Sequence, residues 1–219
     1  MTEKEMSFIM CVNNDVFAEE CIYYINQLII PENYSIDILT VTDAKSMTAG
    51  YNEAMKCSKA KYKVYMHQDV FIINPYFIRD VLDVFQQDAQ IGMIGMIGSP
   101  RLPESGIMWR EERVGTVYDC HVDEVFSLPY SCQKPVEVMA ADGLMLITQY
   151  DIPWREDLFD KWDFYDCSQS MEFRRHGYKV VVPGLKEPWV VHDDGYLNFM
   201  NFERERKKFV REYLENDCG

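Results

Sequence analysis

The chain has 219 residues, 47% of them hydrophobic, and a formal net charge of −14. That length supports one sizeable core rather than two, and the acidic balance argues against nucleic acid as the main partner, because binding a phosphate backbone needs a basic face. The opening "MTEKEMSFIMCV" holds too short an apolar run for a secretory signal, and no apolar stretch reaches the roughly 20 residues of a membrane span, so a soluble, cytoplasmic protein is expected.

"SFIMCV" (Ser7 to Val12) and "IDILTV" (Ile36 to Val41) read as strands buried on both faces, and apolar spacing over Phe17 to Leu28 and Met47 to Cys57 predicts helices. "YKVYM" (Tyr62 to Met66) is a third strand, after which Asn74-Pro75 reads as a helix cap with proline at the first helical position. "IGMIGMIG" (Ile91 to Gly98) is a fourth strand. Its glycines are three apart, no G-x-G-x-x-G is present, and the small residues are expected to let helices approach. This βαβαβαβ order predicts an α/β fold with a mostly parallel central sheet flanked by helices.

From Ser99 to Lys134 no clear period is present, and so long an irregular insertion is often functional. "VEVMAADGLMLIT" (Val136 to Thr148) follows, then a predicted helix from Asp166 to His176, a strand from Lys179 to Pro183, and a terminal helix from about Asn198 to Leu214. In that last helix Phe202, Phe209, Val210 and Tyr213 make an apolar face. "RERKKFVR" supplies a solvated basic side or, alternatively, a peripheral membrane contact.

The seven cysteines include no C-x-x-C pair, and Cys120, His121 and Cys132 fit no common metal-ligand spacing. Reduced, mostly buried thiols are expected.

In open parallel sheets ligands bind beyond the carboxyl ends of the strands. Asn13 and Asn14 follow the first strand, Asp43 the second, and His67-Gln68-Asp69 the third. Such polar residues either line a nucleotide crevice or simply end strands. Asp69 is suited to hold a hard divalent ion that bridges pyrophosphate oxygens, which would offset the scarcity of Lys and Arg. His67, and His192 in "WVVHDDG", are each either a further ligand or a strand-end histidine. Oxygen and nitrogen ligands together suit Mn²⁺ at least as well as Mg²⁺. Asp166, three residues before Gln169, fits a capping box, and an ionised carboxylate fixed at a helix start also suits a general base.

"AGYNEAMKCSKAKYKVYMHQDVFI", "AADGLMLIT" and "FYDCSQSMEFRRHGYKVVVP" occur in this order, and together they resemble the family-two glycosyltransferases of GT-A fold, nearest a small bacterial glycosyltransferase-like branch. The resemblance covers Ser7 to about Gly195. It implies one nucleotide-diphospho-sugar transferase domain over 1–219, with a nucleotide-binding half (7–98), an acceptor and catalytic half (99–197) and a C-terminal helix (198–219). It further implies an inverting glycosyltransferase of polysaccharide biosynthesis, using a UDP sugar and a glycan or lipid-linked acceptor. Asn13, Asn14, Asp43, Asn52, Gln68, Asp142 and Gly143 would contact the donor and Trp109 the acceptor. Asp69, His192 and His67 would hold Mn²⁺ or Mg²⁺, and Asp166 would be the base. The chain departs from the family pattern where His67 replaces the first aspartate of Asp-x-Asp, where Tyr165 replaces an acidic residue, and at Ser168. These departures motivate an alternative: a catalytically silent sugar-nucleotide or polysaccharide-binding protein of the same fold. A nucleotidyltransferase is a third possibility, but no glycine-rich basic loop near the N-terminus supports it.

Overall fold

β1 (Thr2–Val12) is the strand around which the molecule is organised. Met6, Phe8 and Met10 pack into one apolar cluster while Ile9, between them, packs into another. A strand's two-residue period produces this division when both its faces are covered. The computed structural model describes residues 2–120, 124–127, 134–193 and 199–215.

After β1 come α1 (Asp15–Asn26), β2 (Ser35–Thr42), α2 (Met47–Cys57), β3 (Ala60–Met66), β4 (Val70–Ile72), α3 (Phe77–Gln87), β5 (Ile91–Gly95) and β6 (Ile97–Ser99). A 3₁₀ turn at Met108–Arg110 precedes β7 (Val114–Asp119), β8 (Glu124–Ser127), β9 (Val136–Glu137), β10 (Ala140–Ala141) and β11 (Met145–Thr148). The chain continues with α4 (Tyr165–Arg175), β12 (Lys179–Val182), β13 (Val190–His192), α5 (Phe202–Val210) and a π turn at Arg211–Glu215.

The main sheet has the order β2-β1-β3-β11-β5-β12-β9. β1 is parallel to β2 and β3, and β12 to β5, while β11 runs antiparallel between β3 and β5. With β9 antiparallel to β12, five of the seven strands point one way, so the expected mostly parallel α/β sheet is present. Side chains of α1 and α3 fill one face and those of α2 and α4 the other. A second sheet is ordered β10-β6-β7-β13-β4 with β8 on β7, and its strand β4 follows β3 after a three-residue turn.

Several local expectations need correction. Among the described residues β2 is an edge strand, and Val41 alone in it is buried, so the expected burial on both faces does not hold. The Ile91 to Gly98 run divides between the two sheets. A Cβ on Gly92 would meet Phe173 of α4 at 2.7 Å, as expected for helix approach, whereas one on Gly95 would meet Ala141 of β10 at 2.5 Å. The stretch expected to be irregular contains β7 and β8. α3 starts two residues beyond Pro75: the Asn74 side chain accepts from the Tyr76 amide (3.0 Å) and donates to Asp80 (2.8 Å), forming a turn ahead of the helix.

α4 starts at Tyr165 without a capping box. Gln169 donates instead to the Ile152 carbonyl at 2.7 Å, and Asp166 lies inside the first turn. In α5, Phe209 and the following Tyr213 are buried against Cys167 and Met171 of α4, while Val210 is half-buried. The basic residues form a solvated side, with Arg204 and Lys207 exposed, and their charges are paired: Arg204 and Lys208 with Asp160, and Arg206 and Lys207 with Glu203. Among the described cysteines, Cys21 and Cys167 are buried, Cys11 half-buried, and Cys57 and Cys120 exposed, so the thiols are less buried than expected. His121, Cys132, Asn198 and Cys218 lie outside the described residues. Among the described residues no helix is long and apolar enough to cross a membrane.

Candidate active site

Between β3 and β4 the chain turns at His67 to Asp69. The turn is fixed by the His67 amide on the Leu144 carbonyl (3.0 Å) and the Val70 amide on the His67 carbonyl (3.3 Å). β13 pairs antiparallel with β4 so that His192 lies opposite Val70, and the Asp193 amide donates to the Asp69 carbonyl at 2.9 Å. These links bring residues distant in sequence together. Asp69 Oδ1 is 3.9 Å from His67 Nδ1 and 3.7 Å from His192 Nε2, and one ligand atom from each residue lies within 4.8 Å of the others.

The donor set fits a divalent cation. Among the described residues nothing donates a hydrogen bond to the buried Asp69 Oδ1, a costly state for a carboxylate unless a positive charge faces it. Ligands about 2.1 Å from one ion stand up to about 4.2 Å apart, and the two measured separations from Asp69 fall inside that limit. Burial pushes the His67 pKa down to about 4, so its imidazole is neutral near pH 7 and keeps a lone pair. Burial raises the Asp69 pKa, and the neighbouring His192 opposes that shift.

Asp166 lines the same cavity as these residues, from the first turn of α4. Its Oδ1 accepts from the Cys167 amide (2.8 Å) and its Oδ2 from the Gly143 amide (3.0 Å). Gly143 sits in the turn between β10 and β11, where Asp142 Oδ1 accepts from the Leu144 amide at 2.9 Å. Burial raises the Asp166 pKa against the lowering effect of the two amides. Nearby Asp163 is raised to about 6, first by burial, then by Asp166 and Glu205.

Asp69, His192 and Asp166 line one open cavity of about 810 Å³ together with His67, Asp142 and Gly143. Clefts of about 300–1,000 Å³ accommodate ligands of nucleotide-sugar size. Trp109, on the 3₁₀ turn, lines it too at 45% exposure, with the Arg113 guanidinium 5.1 Å from its ring centre. Asn13 and Gln68 border the cavity. The Gln68 side chain accepts from the Asn13 and Asn14 amides, each at 3.0 Å, and thereby joins the exits of β1 and β3.

Three residues expected at the donor are placed elsewhere. Asn14 caps α1 by accepting from the Val16 amide at 3.1 Å. Asp43 is exposed at the end of edge strand β2, with φ at 58°. Asn52 is buried on α2, and both ends of its amide bond the Trp154 backbone (2.8 and 2.9 Å). None of the three is among the described residues that line the cavity. Conversely, the sequence reading missed Trp162, 46% exposed, and Asp163, both on the cavity wall. The signal was the concentration of three aromatic and two acidic residues in "KWDFYD", Lys161 to Asp166.

A family model described as "Glycosyltransferase like family" matches residues 7–213. No curated protein sequence matches the chain. Among solved structures, Staphylococcus aureus TarS is 10% identical with a TM-score of 0.57, covering 92% of this chain, and the chain spans 38% of that protein. A shorter form of TarS, residues 1–349, is known in complex with UDP-GlcNAc. The mannosyltransferase PcManGT from Pyrobaculum calidifontis, solved with GDP-Man and Mn²⁺, is 10% identical with a TM-score of 0.54, covering 95% of this chain and 70% of its own. GalNAc-T7, solved with UDP, GalNAc and Mn²⁺, is 8% identical with a TM-score of 0.62, covering 99% of this chain and 57% of its own. These likenesses identify the fold as GT-A.

Proposed function

The chain belongs to the glycosyltransferase-like family, and on that premise we propose that it transfers a sugar, with inversion, from a UDP sugar to a hydroxyl of a glycan or lipid-linked acceptor. The observation that carries this reading is the convergence of Asp69, His192 and Asp166 on one cavity. The donor half is 7–98 and the acceptor and catalytic half 99–197. UDP as the nucleotide is supported by its presence with TarS and GalNAc-T7.

In this reading His67 Nδ1, Asp69 Oδ1 and His192 Nε2 hold Mn²⁺ or Mg²⁺. The bound ion supplies Lewis-acid stabilisation of the charge on the departing diphosphate, in place of a basic patch. Asn13, Gln68, Asp142 and Gly143 border the donor, and Trp109 and Trp162 shape the acceptor side. Asp166, oriented by the Gly143 and Cys167 amides, takes the proton of the acceptor hydroxyl. That oxygen bonds to the anomeric carbon from the face opposite the breaking bond to the diphosphate, so configuration inverts. The raised pKa of Asp166 brings its basicity closer to that of an efficient general base.

The test is release of UDP from UDP sugars, with acceptor and Mn²⁺, by the wild type, Asp166→Asn and Asp69→Ala. Loss of turnover in both variants is expected, and full activity in either removes the role assigned to that residue. His67 in the first aspartate position favours one rival, a silent binding protein, which predicts UDP binding without UDP release from any donor.

A further inference from the structure

His67 and Tyr165 are two of the positions at which the chain departs from the family pattern, and the structure joins them: His67 Nε2 and Tyr165 Oη are 2.5 Å apart. The same hydroxyl lies 3.2 Å from the Gly143 carbonyl. A phenol has one proton to give, and a carbonyl can only accept. With the Tyr165 proton on the Gly143 carbonyl, Oη receives a hydrogen bond from His67, which requires the proton on Nε2. The lone pair is then on Nδ1, the atom that faces Asp69 Oδ1. In the other tautomer Nδ1–H would point at Asp69 and leave no electron pair for a cation.

From this arrangement we propose that Tyr165 is a positioning residue that holds His67 in its Nε2–H tautomer, so that Nδ1 is available as a metal ligand. The inference rests on the metal-site reading above. Three features keep the hydroxyl in place. Tyr165 is buried, and its ring packs against Tyr51 and Trp154 with centroids 6.1 and 6.0 Å away. It also fills the space left by the missing side chain of Gly143, where a Cβ would come within 2.6 Å of the tyrosine Cζ. The two substitutions therefore act as a unit. The His–Tyr contact links the turn after β3 to the start of α4 while supplying a neutral nitrogen ligand. Outer partners of this kind typically change metal affinity about 10–100-fold when removed.

The test uses the full chain without metal or substrate first. Long-range ¹H–¹⁵N spectra of the histidine rings should show the proton of His67 on Nε2, and a proton on Nδ1 overturns the proposal. Tyr165→Phe keeps the ring and removes the hydroxyl. It should retain the wild-type circular dichroism and bind Mn²⁺, followed by electron paramagnetic resonance, about 10–100-fold more weakly. Wild-type Mn²⁺ affinity in Tyr165→Phe also overturns the proposal, and if that variant does not fold, the wild-type ring spectrum decides alone. Asp69→Ala separates the two levels. Loss of Mn²⁺ binding there with full binding in Tyr165→Phe refutes the tautomer role only. Undiminished binding in Asp69→Ala refutes the metal site itself.

Discussion

The Gly143 amide donates to Asp166 Oδ2 at 3.0 Å, which ties the first turn of α4 to the turn ahead of β11. The bond directs the carboxylate into the cavity beside Asp142, and it makes the orientation of Asp166 depend on a residue outside its own helix.

Asp166→Asn preserves an oxygen that can accept one of the two amides and removes the basic carboxylate. Transfer is expected to fall about 10²–10⁴-fold, with donor affinity close to wild type and stability lowered by about 1–3 kcal/mol because one amide loses its acceptor. Turnover measured beside a UDP-sugar binding isotherm checks this. Equal losses in binding and turnover would instead assign Asp166 to donor binding.

Gly143→Ala places a methyl against the Tyr165 ring and 3.0 Å from Asp166 Cβ. Both neighbours are held by α4, so relief requires the helix start to move. Overpacking of this kind costs about 1–3 kcal/mol, to be read from denaturant midpoints, and transfer should drop with it. An unchanged midpoint would show that the turn can relax.

Trp109 and Trp162 are about half exposed on the cavity wall. Replacing either with alanine should shift stability by no more than about 0.5 kcal/mol while raising the acceptor KM and leaving the donor KM unchanged. Steady-state kinetics with each substrate varied in turn separates the two.

Asp163 carries a carboxyl whose pKa rises from 3.8 to about 6 through burial and the charges of Asp166 and Glu205. A raised acid pKa means that the folded state holds the proton more tightly, so stability is lost as pH rises from 3.8 to about 6 and stays lost above that. Asp163→Asn should therefore match the wild type at pH 3.8 and unfold at a higher temperature than it above pH 6. A constant difference across this range would contradict the assigned shift.

Much of this architecture was legible in the sequence where a single period ran without interruption. β1, α2, α4 and β12 lie within a residue or so of their expected places, or extend them, although α4 buries Ser168, Gln169 and Ser170 beside its apolar residues. His67, Asp69 and His192 stood out because each follows an apolar run directly. The second sheet did not, since β4, β6, β10 and β13 are two or three residues long and a pair of residues has no period. Partners contributed by distant segments were equally hidden. Nothing near Asn52 announces that Trp154 will occupy both ends of its amide, and nothing in "RERKKFVR" indicates that Asp160 will neutralise Arg204 and Lys208.

Thermal unfolding with UDP, in the presence and absence of Mn²⁺, tests the cation-dependent donor site most directly when wild type and Asp69→Ala are compared. A ligand confined to the folded state at 100 times its dissociation constant adds about 2.7 kcal/mol of stability, well within reach of the method. UDP should raise the wild-type midpoint only with Mn²⁺ and leave Asp69→Ala unmoved. An equal UDP shift without Mn²⁺ and in Asp69→Ala, or no shift with any nucleotide, would contradict the account.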